Sequence, residues 1–119
     1  MRPEQLYLLD MVEAADELGR LVAGIDVEAF IASDAVRSAT LWKLAVIGEA
    51  AAHVPDHIRS AYPQVAWRRI VGLRNVLVHQ YFGIDWEIVW QAAIREVPEL
   101  RGQVSMILAQ EFPESPDSQ

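Results

Sequence analysis

Ala39-Thr-Leu-Trp-Lys-Leu-Ala-Val-Ile-Gly-Glu-Ala-Ala-Ala52 decides the fold class. The stretch reads as helix, and it is apolar on nearly every face. Only Lys43 and Glu49 interrupt it. A helix of this kind is surrounded by protein, in the core of a bundle or at a subunit interface. Ser33 or Asp34 can cap its start, and Pro55 ends it just beyond His53.

The flanking segments repeat helical periodicity. In residues 3–23, Leu8, Met11, Ala15, Leu18 and Val22 recur at spacings of 3 and 4. Asp10, Glu13, Glu17 and Arg20 fall on the opposite face, the pattern of an amphipathic helix. Gly24 ends it, and Val27–Ala32 fits a short helical turn. Pro55 to Tyr62 reads as a connector with one helical turn, closed by Pro63. A third helix is predicted over 64–81. Gly83 then breaks the chain, and Asp85 caps a last helix from Trp86 to about Gln110, which Pro98 should kink or split. No segment alternates with the period of a strand. The expected architecture is all-α, an up-and-down bundle of four or five helices in one domain, residues 1–112, with a polar tail at 113–119.

Composition narrows the function. The chain of 119 residues has no cysteine, which excludes thiol nucleophiles and cysteine-based metal sites. Ten basic residues stand against 17 acidic ones, a net charge of −7. An acidic domain is a poor general nucleic-acid binder, so any such role needs a local basic site. The longest nearly uncharged stretch is too short and too charged to span a membrane. The amino terminus lacks the apolar core of a signal peptide, so the expectation is a cytoplasmic protein.

Residues 67–81 of the third helix carry the polar chemistry. On an ideal wheel, Arg68, Gly72, Asn75 and His79 form one strip. Gly72 is a candidate point of close approach for a backbone or ligand. Arg74 falls among Trp67, Ile70, Leu77 and Tyr81, an apolar face on which a guanidinium is costly unless paired. Glu49 is the best partner for it, and a plain structural ion pair would account for both residues. His53 and His57 have the spacing of a metal pair, but Pro55 lies between them and no third ligand is evident, so no metal site is expected. The four tryptophans read as core or interface anchors.

Arg74-Asn75, three residues, His79, one residue, Tyr81 resembles the Arg-Asn-x-x-x-His-x-Tyr motif of HepT-like proteins, members of the HEPN superfamily of helical ribonucleases. Further features stand in the family's usual order: Ile47-Gly-Glu-Ala-Ala51, Pro63-x-x-x-Trp67, Ile70-Val-Gly-Leu-Arg-Asn75, Tyr81-Phe-Gly-Ile-Asp85, Val89-Trp90 and Val97-Pro-Glu-Leu100. They run from about residue 35 to 105, and nothing departs from the pattern within the motif.

The resemblance implies a homodimeric toxin of a toxin–antitoxin module that cleaves RNA without a metal or other cofactor. Its implied partner is a nucleotidyltransferase antitoxin of the MntA type, which silences the toxin by adenylylating the motif tyrosine, here Tyr81. The residue chemistry agrees. RNA supplies its own nucleophile, the 2′-hydroxyl. His79 is suited to proton transfer and Arg74 to the phosphate, with Asn75 supporting. Arg68 and Arg69 are candidates for substrate binding, and Glu49 for supporting Arg74. The alternative expectation is a non-catalytic module that binds a nucleotide, or pairs with a nucleotidyltransferase, through the same residues.

Overall fold

The computed structural model describes residues 2–76 and 83–114. Among them every regular element is helical: α1 (Pro3–Val22), α2 (Val27–Ala32), α3 (Asp34–His53), α4 (Asp56–Ala61), α5 (Trp67–Gly72), α6 (Trp86–Gln91) and α7 (Val97–Glu111). A 3₁₀ turn, Leu73–Asn75, continues α5, and a π-helical segment, Ala92–Glu96, joins α6 to α7.

Local chemistry sets the starts. Pro3 occupies the first turn of α1, where its missing N–H costs nothing. The Asp26 carboxylate accepts from the Ala29 amide, and the Ser33 hydroxyl accepts from the Val36 amide. The Asp85 carboxylate accepts from the amides of Glu87 and Ile88. These caps satisfy amide groups that the first turn of a helix leaves unpaired.

Side-chain pairs fix the topology. Tyr7 stacks on His53 with ring centroids 5.1 Å apart, while Glu17 meets Lys43 at 2.5 Å. α1 and α3 are therefore antiparallel. Arg2 lies over the Phe112 ring at 4.6 Å, and Arg101 meets Asp16 at 3.0 Å, so α7 is antiparallel to α1 as well. The up-and-down bundle closes on Leu8, Met11 and Leu18 of α1, Leu41, Leu44 and Ile47 of α3, and Val104, Ile107 and Leu108 of α7. Phe30 of α2 is fully buried and packs on Trp86 and Trp90 of α6.

Two expected helices take a different course. The predicted helix over 64–81 starts only at Trp67, because residues 63–66 form a turn in which the Trp67 indole N–H donates to the Tyr62 carbonyl at 3.0 Å. It tightens into the 3₁₀ turn after Gly72, and residues 77–82 lie outside the described residues. In the last helix the interruption expected at Pro98 lies one turn earlier, as the π segment. Pro98 itself sits in the first turn of α7. Proline cannot donate to the preceding turn, and the wider π turn absorbs that loss.

Tyr62 ties the α4–α5 turn to the end of α7. The residue is buried, and its hydroxyl lies 2.7 Å from Glu111 Oε2 and 2.9 Å from Gln110 Oε1. Burial first, and the hydrogen bond to Glu111 second, push its pKa up to about 12. An unfolded tyrosine ionises near pH ~10. The folded state thus holds this proton more tightly, and its contribution is complete below pH ~10. As pH rises from there through about 12, that stability is lost. Denaturant midpoints should fall across this window, and Tyr62→Phe should flatten the part of the decline that Tyr62 causes. An unchanged slope in the variant would contradict the assignment.

Candidate functional site

The site is built where α3 crosses the end of α5. Gly48 faces that crossing, buried in the middle of α3. A Cβ added there would collide with the backbone amide nitrogen of Arg74. It would also lie 2.9 Å from the Ile70 carbonyl oxygen and 3.0 Å from the Leu73 carbonyl carbon. The bare glycine lets the two backbones touch, and that contact seats the 3₁₀ turn carrying Arg74 and Asn75.

The expectations about Gly72 and Arg74 are corrected here. Gly72, predicted as a point of close approach for a backbone or ligand, meets no backbone: it is exposed, with open space where its side chain would be. The two backbones meet at Gly48. Arg74 does not lie on a buried apolar face. Its side chain is 45% exposed, and that of Glu49 is 59% exposed. The wheel assumed 3.6 residues per turn, whereas the 3₁₀ turn has about 3.0 and rotates the residues within it. No large desolvation cost arises, so Arg74 needs no tight partner.

Glu49 is nevertheless the carboxylate that faces it, with Arg74 Nη1 and Glu49 Oε2 4.0 Å apart. That is a loose, solvated pair, of the kind worth at most about 1 kcal/mol. It leaves most of the guanidinium's donors for an incoming anion. Glu49 also meets His53: the ring Nδ1 lies 2.9 Å from the Glu49 carbonyl oxygen and 3.7 Å from its carboxylate. His53 and His57 are both exposed.

Asn75 is exposed beside Arg74. His79 and Tyr81, expected to complete the cluster, lie outside the described residues. Arg68 is exposed on α5 and has no ion-pair partner among the described residues. Arg69 is held by Glu96 in a two-pronged bond, Nε to Oε1 at 2.5 Å and Nη2 to Oε2 at 2.8 Å. The bond to Glu96 raises the Arg69 pKa still further. The two neighbouring arginines are therefore unlike: one is open, the other already occupied by a carboxylate.

Sequence reasoning missed Gly48 as the seat of the turn, and it missed Glu96 as the partner of Arg69. A glycine inside an otherwise unbroken apolar helix was the visible sign of the first. The second had no local sign, because Glu96 is 27 residues away.

Comparison with known proteins fits this arrangement. The sequence matches the family described as Ribonuclease HepT-like over residues 11–107. The chain belongs to the HepT-like ribonuclease family. That span contains α3, the 3₁₀ turn and the whole Arg74 to Tyr81 motif. It is 34% identical over 106 residues to MJ1380 of Methanocaldococcus jannaschii, a protein named as a candidate RNase, covering 89% of this chain and 97% of that one. It is 34% identical over 111 residues to a candidate RNase of Caldanaerobacter subterraneus, TTE0752, covering 93% and 99%. A protein of Thermococcus cleftensis named as a candidate ribonuclease HepT is 29% identical over 102 residues, covering 86% and 93%. No solved structure matches the chain. No helix among the described residues is long and apolar enough to cross a membrane.

Proposed function

We propose that this HepT-like protein is an endoribonuclease toxin that cleaves RNA without a metal cofactor. The observation that carries this reading is the presentation of Arg74. The Gly48 crossing seats its backbone, while its guanidinium stays solvated and only loosely paired with Glu49. A fixed base with a free head suits a residue that must meet a phosphate.

In this reading Arg74 binds the scissile phosphate and stabilises the charge that grows on its oxygens as the 2′-hydroxyl attacks. A planar, permanently charged group serves that purpose. His79 moves the proton, since imidazole titrates near neutrality. Asn75 orients the imidazole or bonds to the phosphate. The product ends are a 2′,3′-cyclic phosphate and a 5′-hydroxyl. One histidine does not readily serve as both acid and base, which favours a homodimer that brings two motifs to a shared cleft. Trp42 supports this: it lies on α3 with 59% of its surface exposed. That is an unusual amount of aromatic surface to leave in water, and apolar patches of this kind mark contact sites.

The working unit is the single helical domain of residues 1–112, acting in the cytoplasm. Its antitoxin is a nucleotidyltransferase of the MntA type that adenylylates Tyr81. AMP at that position would bring negative charge and bulk to the place where an RNA phosphate must enter.

The test is an RNA-cleavage assay in EDTA with protein shown by mass to carry no AMP. Wild type should cleave and leave 2′,3′-cyclic phosphate ends. Silence from folded, unmodified protein across several RNA classes would transfer the motif to a binding role, as in a module that only pairs with a nucleotidyltransferase.

A further inference from the structure

Beside the Arg74 turn, α4 and α5 enclose a groove of about 440 Å³ lined by Asp56, Arg59, Ser60, Trp67, Arg68 and Val71. A second hollow, about 620 Å³, adjoins it on the far side of Arg68 and is floored by Val65, Ala66 and Trp67. Arg68 and Trp67 are walls common to both. We infer that this pair of hollows is a subsite for a nucleotide flanking the cleavage point, with its phosphate between Arg59 and Arg68 and its base on the apolar floor. The inference rests on the RNA-cleaving reading and extends it to where the strand runs.

Three observations carry it. First, the groove presents two guanidiniums on an otherwise acidic protein. Arg68 has no ion-pair partner among the described residues. Arg59 Nη2 donates to Asp56 Oδ1 at 2.6 Å, while its Nε is enclosed and has no hydrogen-bond partner. An anion in the groove would meet this guanidinium through its Nη edge, where the exposed Asp56 now sits, because the enclosed Nε is out of reach. Second, Asp56, the one carboxylate in the groove, is 91% exposed in its side chain. It holds Arg59 by a solvated contact between residues three apart, which a phosphate can replace at little cost. Third, the groove is continuous with the catalytic turn. Val71 lines it, the exposed Gly72 follows at the end of α5, and the turn carrying Arg74 and the exposed Asn75 comes next along the chain. Gly72 has no side chain to obstruct a strand laid along that stretch.

The alternation of chemistry fits single-stranded RNA. A charged groove followed by an apolar hollow matches phosphate followed by base, and apolar or aromatic surface receives any base face without reading its sequence. By contrast Arg69, which also lines the second hollow, is held by Glu96 and adds no free charge there.

The probe is a fluorescein-labelled 2′-O-methyl octanucleotide, which the protein can bind but not cleave, followed by anisotropy across a salt series. Arg59→Gln should weaken binding by about tenfold and reduce the salt slope by about 0.7, the value for one phosphate contact on a single strand. Ser60→Glu places a carboxylate in the groove from an exposed position. It should weaken binding at least as much, and it carries the test alone if Arg59→Gln fails to fold. Binding of both folded variants within twofold of wild type overturns the subsite, as does absence of binding by wild type. A groove-dependent affinity in a protein that never cleaves unmodified RNA keeps the subsite and overturns the ribonuclease reading, so the two failures are distinguishable.

Discussion

Arg74→Ala is expected to lower RNA cleavage by about 10²–10³-fold, the usual loss when one donor to a developing oxyanion is removed. Thermal unfolding should barely move, because the side chain is half exposed and its one close carboxylate, Glu49, is 4.0 Å away. His79→Ala should cost a similar factor through loss of proton transfer. The two differ in pH profile. The Arg74 variant keeps the shape of the wild-type curve, since guanidinium does not titrate in the working range. The His79 variant loses the limb that depends on imidazole. Arg74→Lys should recover only part of the activity, because a point charge does not reproduce the planar fork. Full activity in Arg74→Ala would remove Arg74 from the phosphate and undo the proposed mechanism.

Gly48→Ala should be strongly destabilising, although it adds only one methyl. Its methyl would meet backbone atoms of Ile70, Leu73 and Arg74, which are fixed by their own helical hydrogen bonds and cannot swing away as a side chain can. Overpacking of this sort costs about 1–3 kcal/mol, and this contact belongs at the upper end. For a domain of this size that corresponds to a fall in Tm on the order of 10 °C. α5 and the 3₁₀ turn must move off α3 to make room, so cleavage should fall too, even at temperatures where the variant is folded. Gly102→Ala is the control. Gly102 is also helical but has nothing within 4 Å of a new methyl, so alanine should be neutral or stabilising there. Equal behaviour of the two variants would show that α3 and the turn do not need to touch.

Most of the fold was legible because it depends on local patterns. The residues predicted for the buried face of α1, Leu8, Met11, Ala15, Leu18 and Val22, are all buried. Asp85 caps the helix it was expected to cap, and of the two candidates at the start of α3, Ser33 is the one that caps it. The cluster Arg74-Asn75 was legible as chemistry but not as geometry. Its placement depends on a backbone contact with Gly48, 26 positions earlier, and on a 3₁₀ turn that departs from the ideal wheel. Hydrophobic periodicity carries no information about either. The division between open Arg68 and occupied Arg69 was equally hidden, because it is decided by Glu96 in the π segment, 27 positions later.

The π segment at Ala92–Glu96 has a consequence for that last helix as a rotating shaft. A π turn takes in one residue more than an α turn, so it advances everything before it by about 100° relative to everything after it. The rod therefore has two working phases. In one, α6 turns Trp86 and Trp90 onto Phe30; in the other, α7 turns Leu100, Val104 and Ile107 into the core beside α1. The extra residue works like an offset coupling between two gears, setting the buried stripe of α6 at one angle and that of α7 at another around one shared core.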